Sequence, residues 1–100
     1  MLPTERLQKL NTIENLWLYI LSLLTKREIY AWEIPSLIEN KFNFKPGRIT
    51  PYRVLYRLEK QGFVKSKMEK RRRVYQITEK GKRELGFAKK FYQAVLIGLK

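Results

Sequence analysis

Apolar residues recur every three or four positions along most of the chain and switch to alternation only between Phe63 and Ile77. From Ile13 onward, Ile13, Leu16, Trp17, Ile20, Leu21, Leu23 and Leu24 cover most of a helical circumference, which predicts a helix central to the core. Asn11 reads as its N-cap, with Glu14 placed to close a capping box. Before it, Leu2 to Leu10 is a short amphipathic piece with Leu7 and Leu10 available for packing. A second helix is predicted from about Ala31 to Asn40, with Ile34, Leu37, Ile38 and Phe42 on its buried face. Pro35 fits only in the first turn of that helix, where its missing N–H has no partner to lose, so the helix starts within a few residues of Trp32. The stretch Asn43 to Arg48 is a turn, marked by Pro46-Gly47.

The third helix has the clearest start signal, with Thr50 as N-cap and Pro51 at the first helical position. At about 100° per residue, Pro51, Leu55 and Leu58 share one face, flanked by Val54. Arg53, Tyr56, Arg57 and Lys60 fall opposite, with Tyr52 at the edge, and Gly62 supplies a helix-ending left-handed residue. Two strands follow, Phe63 to Met68 and Val74 to Ile77, joined by the charged connection Glu69-Lys70-Arg71-Arg72, which reads as a hairpin. Thr78 caps a final helix in which Leu85, Ala88, Tyr92, Val95 and Leu99 form a heptad-like stripe, widened by Phe87, Phe91 and Leu96. Gly81 is a weak spot in its first turn, and Gly86 and Gly98 each weaken the helix by about 1 kcal/mol relative to Ala.

The resulting fold class is mainly α with a small β-hairpin. Helix, helix, helix, hairpin, helix is the layout of a winged helix-turn-helix with an appended C-terminal helix. The predicted division is a winged-helix domain over residues 1–77 and a dimerisation helix over 78–100. The last helix could fold back on its own domain, but a complete winged domain leaves it little surface to cover, which favours contact with a second copy, helped by the first helix.

Charge narrows the partners. The 100 residues hold 22 Lys plus Arg against 9 Asp plus Glu, a net +13, which favours a polyanion. With no Cys and no His, the chain lacks thiol nucleophiles, disulfides, imidazole bases and the common zinc ligand sets. Its glutamates are scattered, with no nucleophile–base pair, so neither an enzyme nor a metal or cofactor site is expected. The longest apolar run, Leu16 to Leu21, is far below the roughly 18 residues of a membrane span. The start Met1-Leu2-Pro3-Thr4-Glu5 lacks the order of a secretion signal. A soluble, cytoplasmic, nucleoid-associated protein is expected.

Three segments resemble one family. Tyr30-Ala31-Trp32-Glu33-Ile34 resembles the H-G-Y-E-I segment that opens the second helix of PadR-type transcriptional regulators. Thr50-Pro51-Tyr52-Arg53-Val54-Leu55-Tyr56-Arg57-Leu58-Glu59-Lys60-Gln61-Gly62 resembles that family's T-L-Y-P-A-L-R-R-L-E-x-x-G, and Arg72-Arg73-Val74-Tyr75-Gln76-Ile77-Thr78-Glu79-Lys80-Gly81 its R-R-Y-Y-x-L-T-x-x-G. Ala31, Trp32, Pro51 and Arg53 depart from the family pattern. The short single final helix is similar to the small PadR subgroup. The resemblance implies a dimeric DNA-binding regulator or repressor whose last helix makes the dimer. It also brings in a small aromatic effector, for which Trp17 and Trp32 are candidate pocket residues at the dimer interface; as apolar residues at helical spacing, they read first as core.

In helix-turn-helix readers the second helix of the motif enters the major groove. Arg53 and Arg57 can pair bidentately with guanine O6 and N7, which a Lys does less well. Tyr52 and Tyr56 suit phosphate, sugar or thymine methyls, and Lys60 adds charge to the same face. Arg48 and Thr50 lie beside the helix N-terminus, whose free N–H groups attract phosphate. Lys67, Lys70, Arg71 and Arg72 of the wing suit backbone or minor groove. Arg73 could reach DNA or pair with Glu59 or Glu33, and Tyr75 and Ile77 read as core. Two alternatives remain open: an architectural or RNA-binding winged helix without strong sequence preference, and a peripheral membrane protein using the last helix.

Overall fold

Helix α2 (Leu16–Leu24) occupies the centre because its sequence offers hardly any polar face: Leu16, Ile20, Leu21, Leu23 and Leu24 are all buried. Around it in the computed structural model, which describes residues 1–100, pack α3 (Ile34–Phe42), α4 (Thr50–Lys60), α5 (Glu79–Gly98) and a three-stranded antiparallel sheet. The strands are β1 (Ile29–Tyr30), β2 (Val64–Glu69) and β3 (Arg72–Ile77), in the order β1-β3-β2. One core joins them, including Ile29, Ile34, Ile38, Leu55, Leu58, Val64, Tyr75 and Leu85.

The N-terminal segment differs from the expectation. Helix α1 (Pro3–Leu10) buries no residue, and Leu7 stays 61% exposed. Asn11 ends α1 rather than starting α2: its N–H and its side-chain amide both donate to the Leu7 carbonyl, at 3.1 and 2.8 Å. A 3-10 turn, Ile13–Asn15, leads into α2, and Glu14 caps nothing. The Tyr19 hydroxyl donates to the Asn11 carbonyl and pins this junction from within α2.

Helix α3 follows a 3-10 turn at Ala31–Glu33 and carries Pro35 in its first turn, as its missing N–H demands. It ends at Asn43 in the left-handed region, φ 65°. Helix α4 begins one residue earlier than the sequence suggests. Ile49 is the cap, its carbonyl accepting from Tyr52 and Arg53 at 3.1 and 3.3 Å, and the Thr50 hydroxyl makes no capping bond. Pro51 therefore sits second in the helix, still among the N–H positions that lack partners.

The hairpin pairs Val64 with Ile77 and Glu69 with Arg72. Strand β1 was not anticipated; it pairs Ile29 with Tyr75 and Tyr30 with Val74, and two residues are too few to show alternation. Ser66 and Tyr75, paired in register, share the sheet face turned to α4, where Ser66 meets Glu59. Lys65, Lys67 and Gln76 lie on the other face, where Glu28 meets both Lys67 and Gln76.

Thr78 caps α5 as expected, accepting from the Gly81 N–H at 3.1 Å. Gly81 is not a weak spot but a point of close approach: a Cβ there would lie 2.1 Å from the Phe63 carbonyl oxygen and 2.8 Å from Ile77 Cγ1. One turn on, Leu85 is 4% exposed and belongs to the core, so the winged unit continues past Ile77 into α5. That removes Leu85 from the expected dimer stripe, because its side chain is already covered by its own domain. Beyond it every residue from Lys89 to Lys100 is exposed.

Gly81→Ala should lower stability by about 2 to 4 kcal/mol, since backbone must move to admit the methyl group. Gly86, with open space around it, is the control: Gly86→Ala should stabilise by up to about 1 kcal/mol. Urea unfolding followed by circular dichroism reads both.

Candidate nucleic-acid interface

Helix α4 buries Pro51, Leu55 and Leu58, half-buries Val54 and Glu59 on either side of them, and leaves Tyr52, Arg53, Tyr56, Arg57 and Lys60 to solvent. Arg53 and Lys60 stand opposite the buried line. Tyr52 and Tyr56 lean toward the hairpin, 48% and 61% exposed. The Lys60 ammonium lies 5.1 Å from the Tyr56 ring, which holds that cation over the aromatic face. Arg57 leans the opposite way, into the wall of a separate cavity shared with Ile13, Trp17 and Glu84. Arg48 and Thr50 are exposed beside the helix N-terminus, after a turn in which Gly47 takes φ 84°.

Wing cations divide by position. Lys70 and Arg71 form the hairpin turn itself, and both adopt positive φ, 49° and 65°. This is the geometry of a two-residue type I′ turn, where Asn-Gly is strongly preferred. A non-glycine residue in that region costs about 1 to 2 kcal/mol, so the tip keeps its two cations against local preference. Arg72 lies with its guanidinium 5.4 Å from the Trp32 ring centre. Lys67 does not join this group; its ammonium lies 3.8 Å from Glu28, away from the Trp32 cleft. Arg73 also has an internal role. It donates to Ser66 Oγ at 2.9 Å, and Ser66 donates to Glu59 of α4 at 2.6 Å, so the three side chains tie wing to helix.

The carboxylates near this surface are occupied. Arg27 donates to Glu33 at 3.0 and 3.2 Å and the Tyr30 N–H adds a bond of 2.9 Å. These bonds, Arg27's first, hold the Glu33 carboxyl below its ordinary pKa despite some desolvation. Glu33 is therefore not the partner of Arg73. Glu69 accepts from the Tyr30 hydroxyl at 3.2 Å.

The fold separates Trp17 from Trp32, which helical spacing and the family resemblance group together in the core or in one pocket. Trp17 is half-buried, donates to Asn15 at 3.2 Å, and lines the cavity of about 560 Å³ that Arg57 also borders. Trp32 is 56% exposed and lines a different cleft, between α4 and the hairpin. No spacing rule would have flagged it, because the 3-10 turn at Ala31–Glu33 breaks the helical phase that had assigned it to the core.

A helix with a cationic and aromatic outer face, two supporting helices and a basic hairpin define a winged helix-turn-helix regulator of the DNA-binding class. The chain belongs to the transcriptional regulator PadR-like family, whose profile matches residues 20–86. Among solved structures it is similar to a transcriptional regulator from Clostridium thermocellum, at 29% identity and a TM-score of 0.76 over 84% of this chain and 88% of that one. A PadR-like regulator from Bacillus cereus gives 26% identity and a TM-score of 0.71 over 92% of each chain. Bacillus subtilis PadR, solved in complex with operator DNA, gives 26% identity and a TM-score of 0.62 over 71% of this chain and 43% of that one. No curated protein sequence matches. No helix is long and apolar enough to cross a membrane, and no group of acidic side chains could hold a metal ion.

Replacing the tip by Asn-Gly, as Lys70→Asn with Arg71→Gly, should raise stability by about 1 kcal/mol. The same change should weaken duplex binding and lower the salt slope by about 2, one for each lost phosphate contact. Thermal melts and binding isotherms at several salt concentrations test the two halves separately.

Proposed function

We propose that the protein is a dimeric, sequence-specific transcriptional regulator that places α4 in the major groove and its wing on the backbone or minor groove. One observation carries this reading: the exposed face of α4 and the basic hairpin border a single cleft, to which Tyr52, Tyr56, Arg72 and Arg73 contribute. In this arrangement Arg53 and Arg57 read bases, Tyr52, Tyr56 and Lys60 hold the groove walls, and Arg48 and Thr50 meet phosphate at the α4 N-terminus. Lys70, Arg71 and Arg72 bind the backbone. The operator complex of the Bacillus subtilis relative supports duplex DNA as the partner. A dimer seated on a promoter excludes other proteins from it, which makes repression the simplest outcome, in the cytoplasm and on the nucleoid. The cavity beside Trp17 is the place for a small aromatic effector, since Arg57 in its wall would feel the occupant.

For the dimer, α5 offers Phe87, Phe91, Val95 and Leu99 at every fourth position, from 43% to 78% exposed. Ala88 and Tyr92 flank this line, and the Tyr92 hydroxyl donates to Asn11 Oδ1 at 2.7 Å, holding α5 beside the α1–α2 junction. The exposed Leu2, Leu7 and Ile13 extend the same apolar character onto the N-terminal segment. Burying this surface against its symmetry mate would set two α4 helices about one DNA turn, roughly 34 Å, apart on a near-palindrome.

Arg57→Ala should cost about 1 to 3 kcal/mol on the preferred site and relax base choice there, while Arg71→Ala should weaken all duplexes alike. The wild type should prefer its selected site over random duplex by about a thousandfold or more. A preference near unity in competition would instead identify an architectural protein. Val95→Asp should convert dimers to monomers in light scattering, and an unchanged mass would reject α5 as the interface.

A further inference from the structure

The cleft between α4 and the hairpin is open to solvent, holds about 420 Å³ and is lined by Ala31, Trp32, Tyr52, Tyr56, Arg72, Arg73 and Tyr75. Four of these are aromatic, two are arginines and none is acidic. The acids closest in the chain to these linings are engaged elsewhere, Glu33 with Arg27, Glu59 with Ser66 and Glu69 with Tyr30. A space with cations, hydroxyl and indole N–H donors and flat apolar surfaces matches a ligand that alternates anionic and weakly apolar units. The sugar–phosphate chain of DNA is such a ligand: arginines take the phosphates, and aromatic rings pack on the deoxyribose.

Trp32 is the unexpected member. A tryptophan that served only the core would be covered, as Leu16 and Ile20 are, whereas this ring is 56% exposed at the mouth of the cleft. It enters from the turn before α3, an element outside both the helix and the wing, and so closes the cleft from a third side. Its ring also lies under the Arg72 guanidinium at 5.4 Å, which restrains an otherwise mobile side chain in position to meet a phosphate.

Resting on the DNA-binding reading above, we infer that Trp32 is a DNA-contacting residue. It packs against the sugar–phosphate chain of one strand in the cleft between α4 and the wing, and it presents Arg72 to the adjacent phosphate. The contact is to backbone and therefore indifferent to sequence.

The test uses the two indoles of the chain as separate reporters. Full-length protein is titrated with a mixed-sequence duplex at low salt, with gel retardation run on the same samples. Wild type and Trp17→Phe should show a blue-shifted and altered emission as Trp32 leaves water. Trp32→Phe, whose one indole is Trp17, should not. Trp32→Ala should melt like the wild type and bind every duplex about three- to tenfold more weakly. Retardation with unchanged emission in the wild type, or a Trp32→Ala affinity equal to the wild type's, overturns the contact. A loss confined to the selected site overturns the backbone assignment. Absence of retardation for the wild type would overturn the DNA-binding reading itself, a result distinct from the other two.

Discussion

Everything proposed for the surface depends on a fixed angle between α4 and the hairpin. Two cationic elements that moved independently would each bind a polyanion weakly, and their contributions would not combine on one ligand. The angle is set in two layers. Beneath, Leu55 and Leu58 of α4 share a core with Val64 and Tyr75 of the sheet. Above, Ser66 stands between Glu59 and Arg73, one hydroxyl donating to the helix and accepting from the opposite strand. The apolar layer supplies the cohesion. The polar layer supplies direction, because a bonded hydroxyl tolerates little displacement of either neighbour.

Much of this was legible from the residues. The apolar period of Leu16 to Leu24 marked the central helix, and the line Pro51, Leu55, Leu58 correctly divided α4 into a buried and an exposed face. The hairpin followed from alternation and from the charged turn. What escaped lay where short range and long range compete. Asn11 has the chemistry of a cap at either end of a helix, and the Tyr19 hydroxyl, eight residues away, decided which. Gly81 reads as a flaw in a helix, yet the Phe63 carbonyl lies where a side chain would go. Leu85 fitted a stripe on paper, yet the same stripe turns from core to solvent along α5. Within the candidate site, the charged and aromatic face of α4 was readable from spacing. The withdrawal of Lys67 to Glu28 and the entry of Trp32 were not, since both depend on which sheet face and which turn a residue occupies.

The distribution of acids explains how a chain of net +13 can fold with so few ion pairs. Glu28, Glu33, Glu59 and Glu69 are each bound to a neighbouring side chain, and several of these links join different elements. The remaining positive charge is left on the periphery, where water and salt screen it. Four of the negative side chains thus act as internal ties, with Arg27, Lys67 and Arg73 drawn into that framework, while the surplus of positive charge stays at the surface, a separation that suits a protein whose ligand carries the opposite sign.

The Lys70-Arg71 tip carries a consequence that reaches beyond the single molecule. Substitution toward asparagine and glycine there lowers the energy of the isolated chain. If the pair meets DNA as proposed, that contact is what offsets the local preference. In lineages where a duplicated copy lost its target, these two positions would be among the first to erode, and their composition would tell a working regulator from a relic.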